Sequence, residues 1–557
     1  MNFAISRNGP KLYANLAAMA VIMFTSRLIP LPEGLNRGGF KPYKEFLMKK
    51  TAFISFALGL LSLFCHANVR AAQEAAVKHP AKTSARMDPA SIREYTASLD
   101  GFKRAWKVYL PKRCEGIPSP MVVGLHGFGG PSEAYRNAWS TTAERAGFIA
   151  VFPEAISPRW WNIWEMGSLP ESPDDVRFLH MVIEKMCDTH AVDTDRIYLT
   201  GVSMGDNMST TFAFRHADIF AAIAPTDGPT LPSILIDEQS GAFLKKPAQP
   251  VPSLRLHGEL DCMAGLPSTY QQYKITNDEY QSVIPLEEKQ KLRHSMDEMM
   301  KSLWLNANGC AKAPVFHLDT RRNIAMYEGK GNYDCYAYTI VNEGHGEGYK
   351  RENDAWPDFL WDEFLSGFRR KDGKIVKLPP VAPVLPDRNA VAIAAGATQA
   401  CVDNRLVAIP EGRVMHKDGT LFVPVAFLPA AFPGTELTLS DDGKTAHIRF
   451  EGRAVKVQSN APLSLSDARE SALPMPFSAE DGLLMAPMGF LAENFYGMHY
   501  AENSHTAYIS DHPVHLTYDF AASFRTLLGA DKALPADIAQ EKAVVQKILA
   551  SRRESGK

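Results

Sequence analysis

The pentapeptide Gly201-Val202-Ser203-Met204-Gly205 is the strongest indication of the fold of this chain. It follows the apolar, β-branched run Arg196–Thr200 and precedes Met208–His216, which has the composition of a helix. A serine in such a strand-to-helix turn is lifted clear of the sheet, and flanking glycines let the backbone pass close to its neighbours. The pattern therefore predicts that Ser203 is a nucleophile at the carboxyl end of a buried strand.

The pentapeptide on its own is a weak signal. Roughly 0.2 chance matches are expected at ordinary glycine and serine usage, so a glycine-rich turn with an unreactive serine is the alternative. Upstream, the apolar run Met121–Leu125 leads into His126-Gly127-Phe128-Gly129-Gly130. Backbone N–H groups in such a turn stabilise oxyanions, and we predict the N–H groups of Phe128 and Met204 as the donors. His126 itself is predicted to be a packing residue of the turn.

Polar residues after two later strands complete a catalytic triad. Asp261 follows the apolar segment Ser253–His257, and His345 follows Tyr336–Val341. The order Ser, Asp, His along the chain is that of α/β-hydrolases. In this arrangement the histidine takes the serine proton and the aspartate orients the imidazole. Glu259 is the rival carboxylate, with a solvent-facing turn residue as its alternative.

The composition is that of an ordinary globular protein. The 557 residues are 45% hydrophobic and 22% charged, with a formal net charge of −2. This balance provides no basic field for nucleic acid, which we exclude as a partner. The sequence has no phosphate-binding loop and no paired-cysteine spacing, so we predict neither a cofactor nor a metal site. A chain of this length is expected to hold two or more domains.

The N-terminal part carries a targeting pattern. Met48-Lys49-Lys50 precedes the apolar run Thr51–Phe64, and Val69-Arg70-Ala71 follows. A charged start, a short apolar core and a small-residue cleavage site form a secretory signal peptide. The run is too short to span a bilayer, and an N-terminal membrane anchor is the alternative. We predict an over-extended start or leader over 1–47, a signal peptide over 48–71 and a disordered spacer over 72–87. The mature protein is then secreted, periplasmic or in the cell envelope.

The cysteines fit an exported protein. Removal of Cys65 with the signal leaves six of the seven cysteines. These are Cys114, Cys187, Cys262, Cys310, Cys335 and Cys401. An even number in an exported protein indicates disulfides. We predict a link between Cys310 and Cys335, which bracket the segment leading into the strand before His345; buried free thiols are the alternative.

Residues 88–372 alternate between apolar strands and amphipathic helices. The strands are mostly continuous apolar runs, which is typical of a parallel sheet covered on both faces. They are predicted at Lys107–Pro111, Met121–Leu125, Phe148–Phe152, Arg196–Thr200, Phe220–Pro225, Ser253–His257 and Tyr336–Val341. Helices are predicted at Asp174–Met186, Leu286–Leu305 and Ala355–Phe368. The predicted fold is therefore α/β: an α/β-hydrolase with a mostly parallel sheet and helices on both faces.

A proline-rich linker is predicted over 373–390, and the chain beyond it repeats itself. Asp418–Leu428 and Asp481–Leu491 share the pattern D-G-x-L-x-x-P-x-x-F-L. Such duplication predicts a small α+β domain over 391–511 that buries its apolar faces between its two halves. Residues 512–557 are predicted to be a helical tail, with a polar helix at Pro535–Ser551.

The segment Asp100–Phe368 resembles the secreted esterases grouped with poly(3-hydroxybutyrate) depolymerases and feruloyl esterases. The matching pieces are Leu125–Gly130, Pro173–Leu179, Val192–Gly205, His216–Pro225, His257–Asp261, Asn308–Cys310 and Gly344-His345. The resemblance implies an α/β-hydrolase fold and hydrolysis of carboxylic esters. It also supports the roles given to Ser203, Asp261 and His345.

The sequence departs from that family's pattern in two places. The family often has an aromatic residue and a proline after the catalytic histidine, where Gly346–Tyr349 stands here. It often has a small residue after the elbow, where Asp206 stands. Both changes leave the chemistry intact and bear on the substrate. The tryptophans Trp160, Trp161 and Trp164 are candidates for lining the acyl or aryl side of the cleft, with a packed loop as the alternative.

Val391–Ser510 resembles the duplicated copper amine oxidase N-terminal-like module. The resemblance rests on the two D-G-x-L-x-x-P-x-x-F-L runs. It implies an accessory or surface-associated domain of an exported protein, and it implies no copper.

The sequence thus predicts a secreted serine esterase that forms an acyl-enzyme. Its substrate is a hydroxyalkanoate polyester or oligomer, or a feruloyl or acetyl ester, and the C-terminal module offers association with a cell surface or polymer. One alternative is a secreted peptidase of the prolyl-oligopeptidase type with the same triad. It would need an acidic pair that grips the peptide's amino terminus, for which Glu165 and Glu171 are the candidates. Another is a non-catalytic surface protein whose C-terminal module binds a polymer.

Overall fold

The computed structural model describes residues 87–129, 133–156, 173–228, 247–261, 286–345, 356–458, 464–465, 478–480, 483–531 and 550. The chain divides into two compact units, Met1–Thr83 and Ser84–Lys557, and every described residue belongs to the second. The predicted leader and signal peptide, and all but the last residue of the predicted spacer, lie outside the described residues. Across the described ranges, no helix is both long and apolar enough to cross a membrane.

A ten-stranded mixed sheet forms the centre of the hydrolase part. Its strands are β1 (Ile92–Leu99), β2 (Phe102–Tyr109), β3 (Ser119–Leu125), β4 (Ile149–Glu154), β5 (Val192–Val202), β6 (Ala222–Thr226), β7 (Ser253–Gly258), β8 (Val315–Leu318), β9 (Arg322–Tyr327) and β10 (Cys335–Ile340). They lie in the order β1-β2-β4-β3-β5-β6-β7-β10-β9-β8. The strands from β4 to β10 in this order are parallel, and antiparallel strands extend the sheet at both ends. All carboxyl ends of the parallel strands therefore meet at one edge, where α/β sheets bind ligands.

Helices pack on both faces of this sheet, which confirms the predicted α/β-hydrolase fold. They are α1 (Glu133–Ala146), α2 (Asp175–Thr189), α3 (Met204–His216), α4 (Leu286–Ala307) and α5 (Trp356–Phe359), the last continued by a π-helix at Leu360–Phe364. Short 3-10 turns occupy Pro89–Ser91, Lys112–Cys114, Ala217–Ile219 and Leu365–Gly367. Side chains of α2, α3 and α4 share one apolar core with Val123 and Leu199, and those of α1 and α5 share a second core with Val122 and Tyr198. Successive strand residues thus serve opposite faces, so both faces are apolar.

The predicted strands and helices of the hydrolase part are present, with boundaries shifted by a few residues. The prediction missed β1, β8 and β9, which all pair antiparallel at the ends of the sheet. Every residue of β1 is at least partly exposed, and β8 alternates between buried and more exposed positions. A search for continuous apolar runs finds only strands that are covered on both faces.

The C-terminal part contains a hairpin and three small sheets. Its strands are β11 (Phe368–Lys371), β12 (Lys374–Lys377), β13 (Val391–Ala394), β14 (Gln399–Val402), β15 (Arg405–Ala408), β16 (Met415–Lys417), β17 (Thr420–Pro424), β18 (Glu436–Leu439), β19 (Thr445–Phe450), β20 (Arg453–Gln458), β21 (Ser464–Leu465), β22 (Ser478–Glu480), β23 (Leu483–Pro487), β24 (His499–Asn503) and β25 (Thr506–Ser510). Its helical segments are α6 (Leu428–Ala431), α7 (Met488–Leu491) and α8 (Tyr518–Leu527), a 3-10 turn at Val425–Phe427 and a π-helix at Ala492–Tyr496. Of the predicted helix Pro535–Ser551, only residue 550 is described, and it is helical.

The two repeated runs pair with each other as β17 and β23. The partners are Phe422 with Pro487, Val423 with Ala486 and Pro424 with Met485. Val423 pairs with its equivalent Ala486, and the pairs on either side are related by exchange of the two repeats, which places a local two-fold axis at Val423 and Ala486. The residues Val423 and Ala486 at this axis are fully buried, so the repeats bury their apolar faces against one another.

Asp387 of the predicted linker and Asn404, which follows β14, cap the outer edge of the large sheet. The Asp387 carboxylate accepts from the Leu318 N–H at 2.8 Å, and the Asn404 side-chain oxygen accepts from the Phe316 N–H at 2.7 Å. The Asp387 N–H donates to the Phe316 carbonyl at 2.8 Å. These contacts occupy the free edge of β8, which is otherwise open to pairing with another chain.

Cys310 and Cys335 are free thiols in the structure and contact each other. A hydrogen bond with Cys335 lowers the pKa of the Cys310 thiol. Burial raises the pKa of Cys335 well above its ordinary value. A disulfide needs two sulfurs that approach closely, and the predicted link stays a prediction.

Candidate active site

Ser203 lies in a sharp turn between β5 and α3. Its backbone angles are φ 58° and ψ −118°, a conformation that non-glycine residues rarely adopt. A Cβ atom on Gly201 would lie 2.2 Å from the Gly205 carbonyl oxygen, and one on Gly205 would lie 2.2 Å from the Leu125 carbonyl oxygen. Glycine is therefore required at both positions, because the turn passes against its own backbone and against β3.

Three loops at the carboxyl edge of the sheet bring Ser203, His345 and Asp261 together. The His345 Nε2 atom lies 2.9 Å from the Ser203 Oγ atom. The His345 Nδ1 atom lies 3.1 Å from the Asp261 Oδ1 atom, and the Asp261 side chain is 0% exposed against 26% for His345. The residues follow the parallel strands β5, β10 and β7 respectively. The structure thus joins the three residues that the chain order singled out.

The electrostatic setting of His345 suits a general base. Burial by itself lowers the pKa of His345, but the charge of Asp261 and its hydrogen bond outweigh burial and raise that pKa above the ordinary value. The buried carboxylate therefore favours the imidazolium form of His345, as a histidine acting as a general base requires.

The turn after β3 lies directly against the nucleophile. A Cβ atom on Gly127 would lie 3.3 Å from the Ser203 Cβ atom. Phe128 follows, and its side chain is 61% exposed. The Met204 N–H is the first of α3 and has no acceptor within the helix. Both predicted oxyanion donors therefore belong to backbone segments that adjoin Ser203.

His126 is a packing residue. Its Nε2 atom accepts from the Ala155 N–H at 3.0 Å, and its Nδ1 atom lies 2.7 Å from the Gly127 carbonyl oxygen. Burial lowers the pKa of His126. Both ring nitrogens thus hold the turn in place as a neutral imidazole.

Glu259, the rival carboxylate, is engaged elsewhere. Its Oε2 atom accepts from the Asn342 N–H at 2.9 Å, and its Oε1 atom lies 2.9 Å from the His515 Nε2 atom. Its side chain is only 9% exposed. The expected alternative, a turn residue facing water, is therefore wrong, because the C-terminal segment covers this side chain.

Two buried charged residues behind the triad were not predicted. Asp227 follows β6 with φ 51°, and its Oδ1 atom accepts from the Gly258 N–H at 3.2 Å. Burial and the charge of Asp261 raise the pKa of Asp227 well above its ordinary value. Arg293 donates from Nη1 to the Asp261 carbonyl at 2.5 Å and to the Gly258 carbonyl at 2.7 Å. The Asp-Gly turn after β6 was the available signal for Asp227, whereas Arg293 in an amphipathic helix gave none.

Asp206 fastens the turn after β6 to the nucleophile helix. Its Oδ2 atom accepts from the Gly228 N–H at 3.0 Å, and its Oδ1 atom accepts from the Thr210 hydroxyl at 3.2 Å. A Cβ atom on Gly228 would collide with this side chain at 2.1 Å. Asp206, which departs from the family pattern, therefore requires a glycine at position 228.

Several predicted features cannot be placed. Trp160, Trp161, Trp164 and the Gly346–Tyr349 stretch lie outside the described residues, as do Glu165 and Glu171. In the part of the chain that is described, no group of three or more His, Cys, Asp or Glu side chains could hold a metal ion.

Comparisons with known proteins find similarity to esterases over part of the hydrolase segment. Residues 104–234 match the family described as Esterase PHB depolymerase. A poly(3-hydroxyalkanoate) depolymerase C from Paucimonas lemoignei is 31% identical over 120 residues, which are 20% of this chain and 29% of the relative. A feruloyl esterase B from Piromyces equi is 28% identical over 238 residues, which are 41% of this chain and 40% of the relative. The chain thus spans less than half the length of these two curated relatives.

A solved acetyl xylan esterase from Aspergillus awamori is 15% identical and covers 46% of this chain and 94% of its own, with a TM-score of 0.32. The family match includes Phe128, Ser203 and Met204 and ends before Asp261 and His345. Over the segment that carries the candidate nucleophile, this chain is therefore similar to carboxylic ester hydrolases.

Proposed function

We propose that this chain is an exported serine hydrolase that cleaves carboxylic esters through an acyl-enzyme. The observation that carries the proposal is the contact of the Ser203 Oγ atom with His345 Nε2 at 2.9 Å, backed by Asp261 at 3.1 Å from Nδ1. A nucleophile, a base and a buried orienting carboxylate in this order are what acyl transfer requires. Similarity to named esterases over residues 104–234 favours an ester as the substrate.

The acylation step follows from the geometry. Ser203 Oγ attacks the ester carbonyl carbon while its proton passes to His345 Nε2. The carbonyl oxygen becomes an oxyanion, which the Phe128 and Met204 N–H groups stabilise. Collapse of this intermediate breaks the bond to the alkoxy oxygen, and His345 returns the proton to the departing alcohol.

Deacylation repeats the sequence with water. His345 takes a proton from the water as it attacks the acyl carbon, and the oxyanion forms again at the same donors. Collapse then breaks the bond to Ser203 Oγ, which recovers the proton from His345, and the acid is released. Asp261 stabilises the imidazolium in both half-reactions and stays ionised throughout.

The substrate class within esters is also part of the proposal. The similar proteins are named for polyhydroxyalkanoate and feruloyl esters, and acetylxylan esterases match as well. We therefore propose an acyl ester of a polymer or of its oligomers. Export rests on the Met48–Ala71 pattern, and a polymer-associating role for the C-terminal module rests on its resemblance to accessory domains.

The decisive experiment compares Ser203→Ala with Ser209→Ala. Ser209 lies on the same helix, and its hydroxyl donates to the Asp206 carbonyl at 2.9 Å. Turnover of p-nitrophenyl acetate should fall by about 10⁴-fold or more in Ser203→Ala and stay near wild type in Ser209→Ala. A fluorophosphonate probe should label wild type and Ser209→Ala alone.

Substrate choice is tested on the same wild-type protein. Initial rates on hydroxybutyrate oligomers, feruloyl esters, acetylated xylo-oligosaccharides and aminoacyl amides should rank the esters first. Faster cleavage of the amides would favour the peptidase alternative, and unchanged turnover in Ser203→Ala would refute the serine mechanism.

A further inference from the structure

The segment that follows the duplicated module returns to the hydrolase sheet. The Thr517 N–H and hydroxyl both donate to the Asn323 side-chain oxygen at 3.0 Å. The Asn323 side-chain N–H donates to the His515 carbonyl at 2.8 Å. Asn323 is fully buried in β9 and pairs with Thr339 of β10. The segment is therefore anchored beside the strand that leads to His345.

A first contact from this segment reaches both catalytic loops. The His515 imidazole lies 2.9 Å from Glu259, whose other carboxylate oxygen accepts from the Asn342 N–H. Glu259 precedes Asp261 by two residues, and Asn342 precedes His345 by three. One carboxylate thus ties the two loops together, and His515 holds that carboxylate.

A second contact reaches the strands just before these loops. The Asp519 carboxylate of α8 accepts from the Thr339 hydroxyl at 2.5 Å and lies 3.4 Å from the His257 Nε2 atom. Thr339 and His257 are register partners on β10 and β7. Although burial raises the pKa of Asp519, the hydrogen bond and the charge of His257, together with hydrogen bonds from Thr339 and Thr517, outweigh burial and lower that pKa. A partly buried carboxylate whose charged form is favoured therefore bridges the two strands.

The same cluster of polar side chains extends to the backbone of Asp261. His257 Nδ1 lies 3.7 Å from Asp297 on α4, and Asp297 accepts from Arg293 Nε at 3.1 Å. Arg293 in turn donates to the Asp261 carbonyl. Polar contacts thus run without interruption from Asp519 to the backbone of the residue that orients His345.

The distance between Asp261 and His345 depends on how these two loops sit against each other. Their backbones already touch, because the Leu260 N–H donates to the Glu343 carbonyl at 2.8 Å. A Cβ atom on Gly258 would lie 2.3 Å from that same oxygen. A misplacement of about 1 Å in a catalytic group costs on the order of 10²-fold in rate, so contacts that fix this approach bear directly on turnover.

We propose that the segment after the duplicated module positions the catalytic loops, with His515 and Asp519 as positioning residues for Asp261 and His345. This inference rests on the proposed ester hydrolysis. It gives the C-terminal part a role in turnover that is separate from any association with a polymer. Neither residue touches the reacting atoms, and each acts through Glu259, Thr339 or His257.

The experiment compares His515→Ala with His512→Ala in the full chain. His512 lies on the same segment, but its Nε2 atom contacts the Leu318 carbonyl of β8 at 2.7 Å. We expect kcat on p-nitrophenyl acetate to fall by about tenfold in His515→Ala with KM unchanged, and to stay within about twofold in His512→Ala. Equal kcat values in the two variants would overturn the inference.

A pH profile separates positioning from general loss of structure. The groups that set the pKa of His345 are Asp261, Asp227 and Arg293. A looser approach of Asp261 weakens its attraction for the imidazolium, so the acid limb of kcat/KM should move to lower pH in His515→Ala. A merely destabilised protein would lose amplitude at unchanged limb position, which would count against the inference.

Asp519→Asn and Glu259→Gln supply the second test. Asp519→Asn should reproduce the lower kcat and the shifted limb, while circular dichroism remains that of wild type. The double variant Glu259→Gln/His515→Ala should be no slower than the worse single variant, because both changes affect the same contact between Glu259 and His515. Additive losses would contradict this. If turnover requires Ser203 but none of these variants changes it, the inference is refuted and the proposed function stands. If turnover survives Ser203→Ala, the proposed function is refuted.

Discussion

Ser203 and His345 lie 2.9 Å apart, yet the two residues are held in place in different ways. The turn at Ser203 is specified by five consecutive residues, which include the strained φ of 58° and the two glycines that its close backbone contacts require. The histidine loop is fixed by contacts that are remote in the chain, such as the pair of Glu259 with His515, which are 256 residues apart. The position of Ser203 is therefore set by the sequence of its own turn. We infer that the positions of Asp261 and His345 depend on contacts with the segment after the duplicated module.

Among the residues that hold Ser203 and His345 in place, Asp261 is expected to show the greatest effect. Asp261→Asn keeps the shape but removes the charge that stabilises the imidazolium, so kcat on p-nitrophenyl acetate should fall roughly 10³- to 10⁴-fold. Asp358→Asn is the matched control, since Asp358 pairs with Arg145 of α1 at 2.9 Å. A loss of less than tenfold in Asp261→Asn would mean that another group orients His345.

The local side is broken by Gly205→Ala. Its new Cβ atom would meet the Leu125 carbonyl oxygen at 2.2 Å, so the elbow must move and kcat should fall by about 10²-fold. Gly367→Ala is the control, because its nearest atoms lie at an ordinary 3.5 Å. We expect fluorophosphonate labelling to slow in parallel with kcat. Equal activities of the two variants would show that the turn tolerates a side chain.

The pH dependence of wild-type turnover tests how Asp261 affects the pKa of His345. Because the pKa of His345 is raised above 6.5, its imidazole stays protonated to higher pH and cannot accept the serine proton there. The acid limb of kcat/KM should therefore have its midpoint above 6.5 and fall tenfold per pH unit below it. In Asp261→Asn the midpoint should move to lower pH. A wild-type midpoint below 6.5 would contradict the stated role of Asp261.

The smallest effect is expected at Asp227. Burial and the charge of Asp261 raise the pKa of Asp227 well above its ordinary value, which disfavours the charged form, and Asn keeps an oxygen to accept from the Gly258 N–H. Turnover of Asp227→Asn should stay within about threefold of wild type, whereas Asp227→Ala also removes the acceptor of the Gly258 N–H and should be slower. A large loss in Asp227→Asn would show that this carboxylate is ionised and acts on His345.

The sequence predicted that Ser203, Asp261 and His345 lie together, because each of them has a recognisable pattern in its neighbouring residues. Ser203 follows from its glycines and its strand, and Asp261 and His345 follow from being placed just past apolar strands in one order. His515, Asp519 and Arg293 carry no comparable pattern, because their importance arises only when distant segments pack together. β8 was missed for a related reason, since an edge strand with a half-exposed face lacks the continuous apolar run that identifies a buried strand.

The capped edge of β8 limits how this protein can be divided. β8 is the outermost strand of the large sheet. Side-chain oxygens of Asp387 and Asn404 accept hydrogen bonds from the two β8 N–H groups that point outward. A catalytic fragment that ends at residue 377 would leave those groups bare, together with the Phe316 ring, which packs against Phe524 with ring centres 4.4 Å apart. Bare strand edges recruit other strands, so such a fragment is expected to self-associate, and we expect a fragment that extends through residue 527 to self-associate less.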